Sequence, residues 1–140
     1  TWPGLRLSGR GLGITASDNK AMLRALREDP LVFKDARADT VWGLSSLMDR
    51  ALASAPRVDV PALVLYGAHD EIIPRGPTCK LLAALGPPGR LALYPDGYHM
   101  LTRDLGARVV LEDVAAWLTD PAAPLPSGHD AAGRRTLCGT

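Results

Sequence analysis

Two apolar runs, Pro61-Ala62-Leu63-Val64-Leu65-Tyr66-Gly67 and Leu91-Ala92-Leu93-Tyr94, read as buried strands, and what lies around them dictates how they pair. Between them, Pro77 favours the first turn of a helix through Leu81, Leu82 and Leu85 that Gly86 ends. After them, a segment from about Asp104 to Leu118 sets Ala107, Val110, Leu111, Val114, Trp117 and Leu118 on one helical face, with Arg108, Glu112 and Asp113 elsewhere. Strand, helix, strand, helix is the alternation of a parallel α/β sheet. Such sheets are buried on both faces and usually hold more than two strands. The chain is therefore expected to end a larger fold or to associate in order to complete one.

The residues before position 60 are helical in pattern. Residues 1–16, rich in Gly and Arg without a sustained period, read as an irregular lead-in. Asp18 is placed to cap a helix ending near Glu28, with Met22, Leu23 and Leu26 as its stripe, before Asp29-Pro30 stops it. A second helix after Asp39 carries Val41, Leu44, Met48, Ala51, Leu52 and Ala55 until Pro56 intervenes. Met22, Trp42 and Met48 are expected in packing contacts. Past Pro121, Pro124 and Pro126, the polar run to Thr140 has too little apolar surface to offset ordering. The expected organisation is leading helices over 1–59, an α/β core over 60–119 and a disordered tail over 120–140.

Composition narrows the function classes. A chain of 140 residues with 46% hydrophobic and 22% charged residues suits one soluble globular domain. A net charge of +1 with scattered arginines offers no field for nucleic acid. No apolar run is long enough to span a bilayer, and Thr1-Trp2-Pro3-Gly4 does not open a signal peptide. Cys79 and Cys138 have neither framework nor metal spacing, so free thiols in a reducing cytoplasm are expected. Thirteen Arg against three Lys, with abundant Ala, Gly and Pro, suits a high-GC bacterial genome. The first residue is not methionine, and the chain is read as a segment of something longer.

The chemistry lies at the strand ends. Asp70 follows the first run and His99 follows the second, 29 positions later, at the sheet edge where open α/β folds place ligands. A histidine acts as general base near neutral pH when an acceptor on its other nitrogen fixes the tautomer, and Asp70 is placed to be that acceptor. Gly67 permits a sharp exit from the strand, Ile72, Ile73 and Pro74 would shield the carboxylate, and Gly97 frees the loop to swing the ring. The structural alternatives are an Asp that only makes a turn and a His that is merely packed or solvated. His69 reads as a solvated loop residue and His129 as tail, and three histidines with no shared spacing argue against a metal site. No cofactor is expected. Arg103 and Asp104 serve the start of the last helix, with Asp104 as its cap.

The pattern G-x-x-D-x-x-x-P, followed by P-x-G-x-H, resembles the carboxyl-terminal part of the α/β-hydrolase fold, most of all lysophospholipases and monoacylglycerol lipases. The resemblance rests on Val60-Pro61-Ala62-Leu63-Val64-Leu65-Tyr66-Gly67 with Asp70, on Tyr94-Pro95-Asp96-Gly97-Tyr98-His99-Met100-Leu101 with Arg103-Asp104, and on Val114-Ala115-Ala116-Trp117-Leu118. The helices before Val60, including Ser17-Asp18-Asn19 and Leu47-Met48, resemble the cap region and connector of the same family. The resemblance implies an α/β-hydrolase core of two parallel strands with flanking helices, preceded by cap-type helices. It also implies a lipid-like ester substrate, with Asp70 as triad acid and His99 as triad base. Ile72 beside the acid and Met100 beside the base are the expected substrate contacts.

One element of that pattern is missing. In such enzymes the nucleophilic serine sits on a G-x-S-x-G elbow, upstream of the Asp and the His. Serines occur at positions 8, 17, 45, 46, 54 and 127, and none has that spacing; Gly43-Leu44-Ser45-Ser46-Leu47 lacks the second glycine. Two readings follow. The chain is part of a serine hydrolase whose elbow lies in a missing amino-terminal half, or it is a non-catalytic binding or assembly module whose open sheet edges drive self-association. A dehalogenase or epoxide hydrolase would share the Asp and His positions around a different nucleophile.

Overall fold

The computed structural model describes residues 4–8 and 13–139. The first three residues, 9–12 of the expected lead-in and Thr140 lie outside the described residues. The centre of the fold is a parallel pair, β3 (Ala62–Gly67) and β4 (Gly89–Tyr94), in register from Ala62 opposite Gly89 to Gly67 opposite Tyr94. The crossover between them is α3 (Arg75–Leu85), ended by Gly86 at a positive φ of 63°. Then come α4 (Ala107–Thr119) and α5 (Gly133–Cys138). Ahead of the sheet, β1 (Arg6–Ser8) pairs antiparallel with β2 (Asp35–Arg37), bracketing α1 (Lys20–Glu28), and α2 (Ala38–Ser54) follows. The short β1–β2 ribbon differs from an irregular lead-in, because its pairing is to residues nearly thirty positions away.

Strand alternation divides the core in two. On one face of the sheet Leu91, Leu93 and Tyr66 pack with Leu82 of α3 and Leu137 of α5. On the other, Ala92 and Tyr94 pack with Leu101, Val110 of α4 and Leu125. Both faces are thus covered, as a parallel pair requires. The fully buried Leu82 and the 3% exposed Val110 are the anchors of the two helices.

The tail expected to be disordered is ordered. Leu125 and Leu137 are buried, the Arg90 guanidinium is bound by Asp130 and by the carbonyls of Pro121 and Ala123, and the Leu93 N–H donates to the His129 carbonyl at 3.1 Å. Residues 127–133 therefore occupy the edge of β4 that β3 leaves open. The physical reason is that two well-placed leucines and one arginine clamp suffice when their partners are already fixed in a sheet. The cysteines are not free thiols: Cys79 of α3 and Cys138 of α5 form a disulfide with Cα atoms 5.6 Å apart. Such bridges persist in oxidising compartments, so the argument from free thiols to the cytoplasm falls.

Three further expectations change. Asp113, assigned to the polar side of α4, is fully buried, with Oδ2 accepting from the Tyr94 and Ser127 hydroxyls and Oδ1 accepting from the Ser127 N–H. The stripe of α2 is largely exposed: no residue of this helix is buried, Val41, Trp42, Leu44 and Met48 stand open with Trp42 at 74% exposed, and only Ala55 just beyond its end is buried. Helix α1 is capped by Asn19, whose Oδ1 accepts the Met22 N–H, and not by Asp18. Among the described residues no helix is long and apolar enough to cross a membrane.

Candidate functional site

Strand β3 ends at Gly67, and the chain turns through Ala68, His69 and Asp70, the Asp70 N–H donating back to the Gly67 carbonyl at 3.0 Å. An aspartate at this point folds onto the chain that follows it. Its Oδ1 accepts the N–H groups of Ile72 and Ile73 at 2.8 and 2.9 Å, and the Tyr66 hydroxyl donates to the Ile73 carbonyl at 2.7 Å. The carboxylate is thereby oriented with Oδ2 free to face the neighbouring loop. Its side chain is 7% exposed. Burial alone would raise its pKa, but the Ile73 N–H, the His99 bond and the Ile72 N–H together outweigh it and hold Asp70 below the usual carboxylate range.

The second loop leaves β4 at Tyr94, turns through Pro95 to Gly97 and presents His99. The imidazole Nδ1 lies 3.0 Å from Asp70 Oδ2. Since the carboxylate can only accept, Nδ1 carries the proton in this arrangement, and Nε2 is left to exchange protons with a reacting group. The ring is partly exposed, at 36% of its side-chain surface.

The two loops meet because of two glycines, for a reason other than backbone freedom. Neither Gly67 nor Gly97 has a positive φ. A Cβ on Gly67 would lie 2.4 Å from the carbonyl oxygens of Gly97 and Tyr98, so the His99 loop crosses directly over the end of β3. A Cβ on Gly97 would meet Leu101 at 2.5 Å and Tyr94 at 2.9 Å. The His69 N–H donates to the Gly97 carbonyl at 2.9 Å, and the His69 ring stacks on Tyr98 with centroids 5.2 Å apart. His69 is thus a contact between the two loops as well as a solvated residue.

The other expected site residues fall as follows. Ile72 serves Asp70 through its N–H, and the residue is 41% exposed. Met100, half-buried, adjoins His99, and its N–H donates to the Ala16 carbonyl. Asp104 is not the cap of α4, which begins at Ala107 after Gly106; it is a buried carboxylate that accepts from the Tyr98 N–H and the Ser17 hydroxyl. His129 packs edge-on against Tyr94. A cavity of about 160 Å³ behind the His99 loop is lined by Tyr94, Gly97, Leu101, Asp104, Val110 and His129, and neither Asp70 nor His99 lines it. Among the described residues no cluster of His, Cys, Asp and Glu could hold a metal ion.

Ser17, Ser45, Ser46, Ser54 and Ser127 lie within helices or are held in other contacts. Ser17 is buried and bonded to Asp104, Ser45 and Ser46 lie within α2, Ser54 is bonded to Arg57 and Ser127 to Asp113. The structure brings Asp70 and His99 together, whereas Asp104 and Asp113, expected as a helix cap and on a polar helix side, are buried acceptors. Ser17 lies 87 positions from Asp104 and Tyr94 lies 19 from Asp113, too far apart for local pattern to pair them.

Comparison with known proteins adds two findings. The family profile described as serine aminopeptidase, S33, matches residues 1–106, a span that contains Asp70, His99 and Asp104. Among solved structures, the chain is similar to the monoacylglycerol lipase of Paleococcus ferrophilus, at 26% identity and a TM-score of 0.72, over 84% of this chain and 46% of that one. The chain spans about half the length of the lipase it matches.

Proposed function

Because the chain belongs to the serine aminopeptidase S33 family of α/β-hydrolases, we propose that it supplies the acid and base of a serine hydrolase acting on carboxylic esters of the lysophospholipid or monoacylglycerol type. The observation that carries this reading is the 3.0 Å contact between His99 Nδ1 and Asp70 Oδ2 across adjacent strand ends. The nucleophilic serine comes from residues other than the described ones. Its hydroxyl attacks the acyl carbon while His99 Nε2 takes the proton, and Asp70 stabilises the imidazolium that forms. The same nitrogen then returns the proton to the leaving alcohol, and water, deprotonated by His99, releases the acid. Ile72 and Met100, on the two loops that carry the pair, are the proposed contacts for the acyl chain. The lipid-ester assignment is favoured by the lipase neighbour.

The test is to expose this chain, and the longest polypeptide of its reading frame, to a fluorophosphonate probe. Labelling is expected on a polypeptide that contains a serine elbow and is expected to vanish in His99→Ala. Labelling that survives that substitution refutes the relay. Hydrolysis of acyl glycerol esters in preference to aminoacyl anilides would separate an esterase from an aminopeptidase.

A further inference from the structure

Resting on the proposed relay, the geometry points to Asp104 as a positioning residue that holds the His99 loop in the orientation in which its ring meets Asp70. Asp104 is 6% exposed, and its two oxygens bind two different segments. Oδ2 accepts the N–H of Tyr98, the residue directly ahead of His99, at 2.8 Å. Oδ1 accepts the hydroxyl of Ser17, which is 1% exposed, at 2.5 Å. Ser17 Oγ in turn accepts the Asn19 N–H at 3.2 Å.

The segment 16–19 is stitched to the same loop by three more bonds. The Met100 N–H donates to the Ala16 carbonyl, Asn19 Nδ2 to the Arg103 carbonyl and the Leu105 N–H to Asp18 Oδ1, at 3.0, 3.0 and 2.8 Å. The residues on either side of His99 are therefore held by their N–H groups, Tyr98 by Asp104 and Met100 by Ala16. A buried carboxylate is tolerated when hydrogen bonds replace its water. Among the described residues no cation lies within ion-pair distance of Asp104, so its engagement is with the loop and Ser17. Its bond to the His99 loop is to a backbone N–H, so it acts on the ring through the loop backbone. An amide in its place keeps one oxygen for the Tyr98 N–H, while the Ser17 hydroxyl can accept from the new NH₂ group.

The experiment follows the His99 Nδ1–H resonance and the exchange rate of the Tyr98 amide by NMR in the labelled 140-residue chain. The parent is expected to show an Nδ1–H signal that Asp70→Asn abolishes; its absence from the parent would sink the relay itself. Asp104→Ala is expected to remove that signal and to speed Tyr98 exchange at least tenfold, while Asp104→Asn retains the signal. A parent signal that persists unchanged in folded Asp104→Ala overturns the positioning role and leaves the relay standing. Loss of the signal in Asp104→Asn overturns it too, since charge and not the bond to the loop would then be responsible. Should Asp104→Ala fail to fold, Ser17→Ala and Asp104→Asn decide: severalfold faster Tyr98 exchange in the first and a retained signal in the second support the role, and any other pairing overturns it.

Discussion

Cutting the link between α3 and α5 should weaken the fold without undocking the tail. Cys79 and Cys138 are 59 positions apart, so the bridge closes a large loop in the unfolded chain. For a loop of roughly 60 residues the chain-entropy relation gives a loss of about 14 cal/mol/K, or about 4 kcal/mol at 25 °C. Residual structure in the unfolded state lowers that figure, and a decrease of about 2–4 kcal/mol is expected on reduction or in Cys138→Ser. Against an ordinary domain stability of about 5–15 kcal/mol this is a large fraction. The tail should nevertheless stay in place, because Leu125 and Leu137 remain buried, Arg90 remains bound to Asp130 and the Leu93 N–H keeps its partner. The assay is guanidinium chloride unfolding with and without reductant, joined to hydrogen exchange at Leu93 and Thr136. The reasoning is refuted if native thiols react with Ellman's reagent before any reductant is added. It is also refuted if reduction shifts the unfolding free energy by less than about 1 kcal/mol.

Other predictions test the site and the second core. Gly67→Ala places a methyl group against the Gly97 and Tyr98 carbonyls, and is expected to cost about 1–3 kcal/mol or more in urea unfolding and to separate Asp70 from His99. Asp70 has a folded pKa below its unfolded value of about 3.9, so its contribution to stability is present above that pH and is lost as pH falls through the folded pKa. Unfolding midpoints of Asp70→Asn should therefore converge on those of the parent in acid, and a gap that widens below about pH 4 would contradict this. Asp113→Ala strands the Tyr94 hydroxyl and both donors of Ser127, and should destabilise by about 3 kcal/mol or more by the same assay, with Asp113→Asn milder.

The order of strands and helices from residue 60 to about 119, and the approach of Asp70 to His99, were readable along the chain. Unbroken apolar runs, a helix punctuated by Pro77 and Gly86, and reactive residues just past two strand ends are local signals, and a parallel sheet converts them into proximity. Tertiary packing settled everything that depends on partners far away in sequence. Asp104 and Asp113 have the look of surface helix residues until Ser17, Tyr98, Tyr94 and Ser127 are brought to them. Gly67 is needed for the crossing of a loop thirty residues later and not for its own turn. The last twenty residues hold two isolated leucines and a cysteine, too little to order a free chain, yet enough to dock one onto β4 and α3. Periodicity reports which face of an element is apolar, but not whether a distant segment will cover it, and so α2 stands exposed where Leu137 is buried.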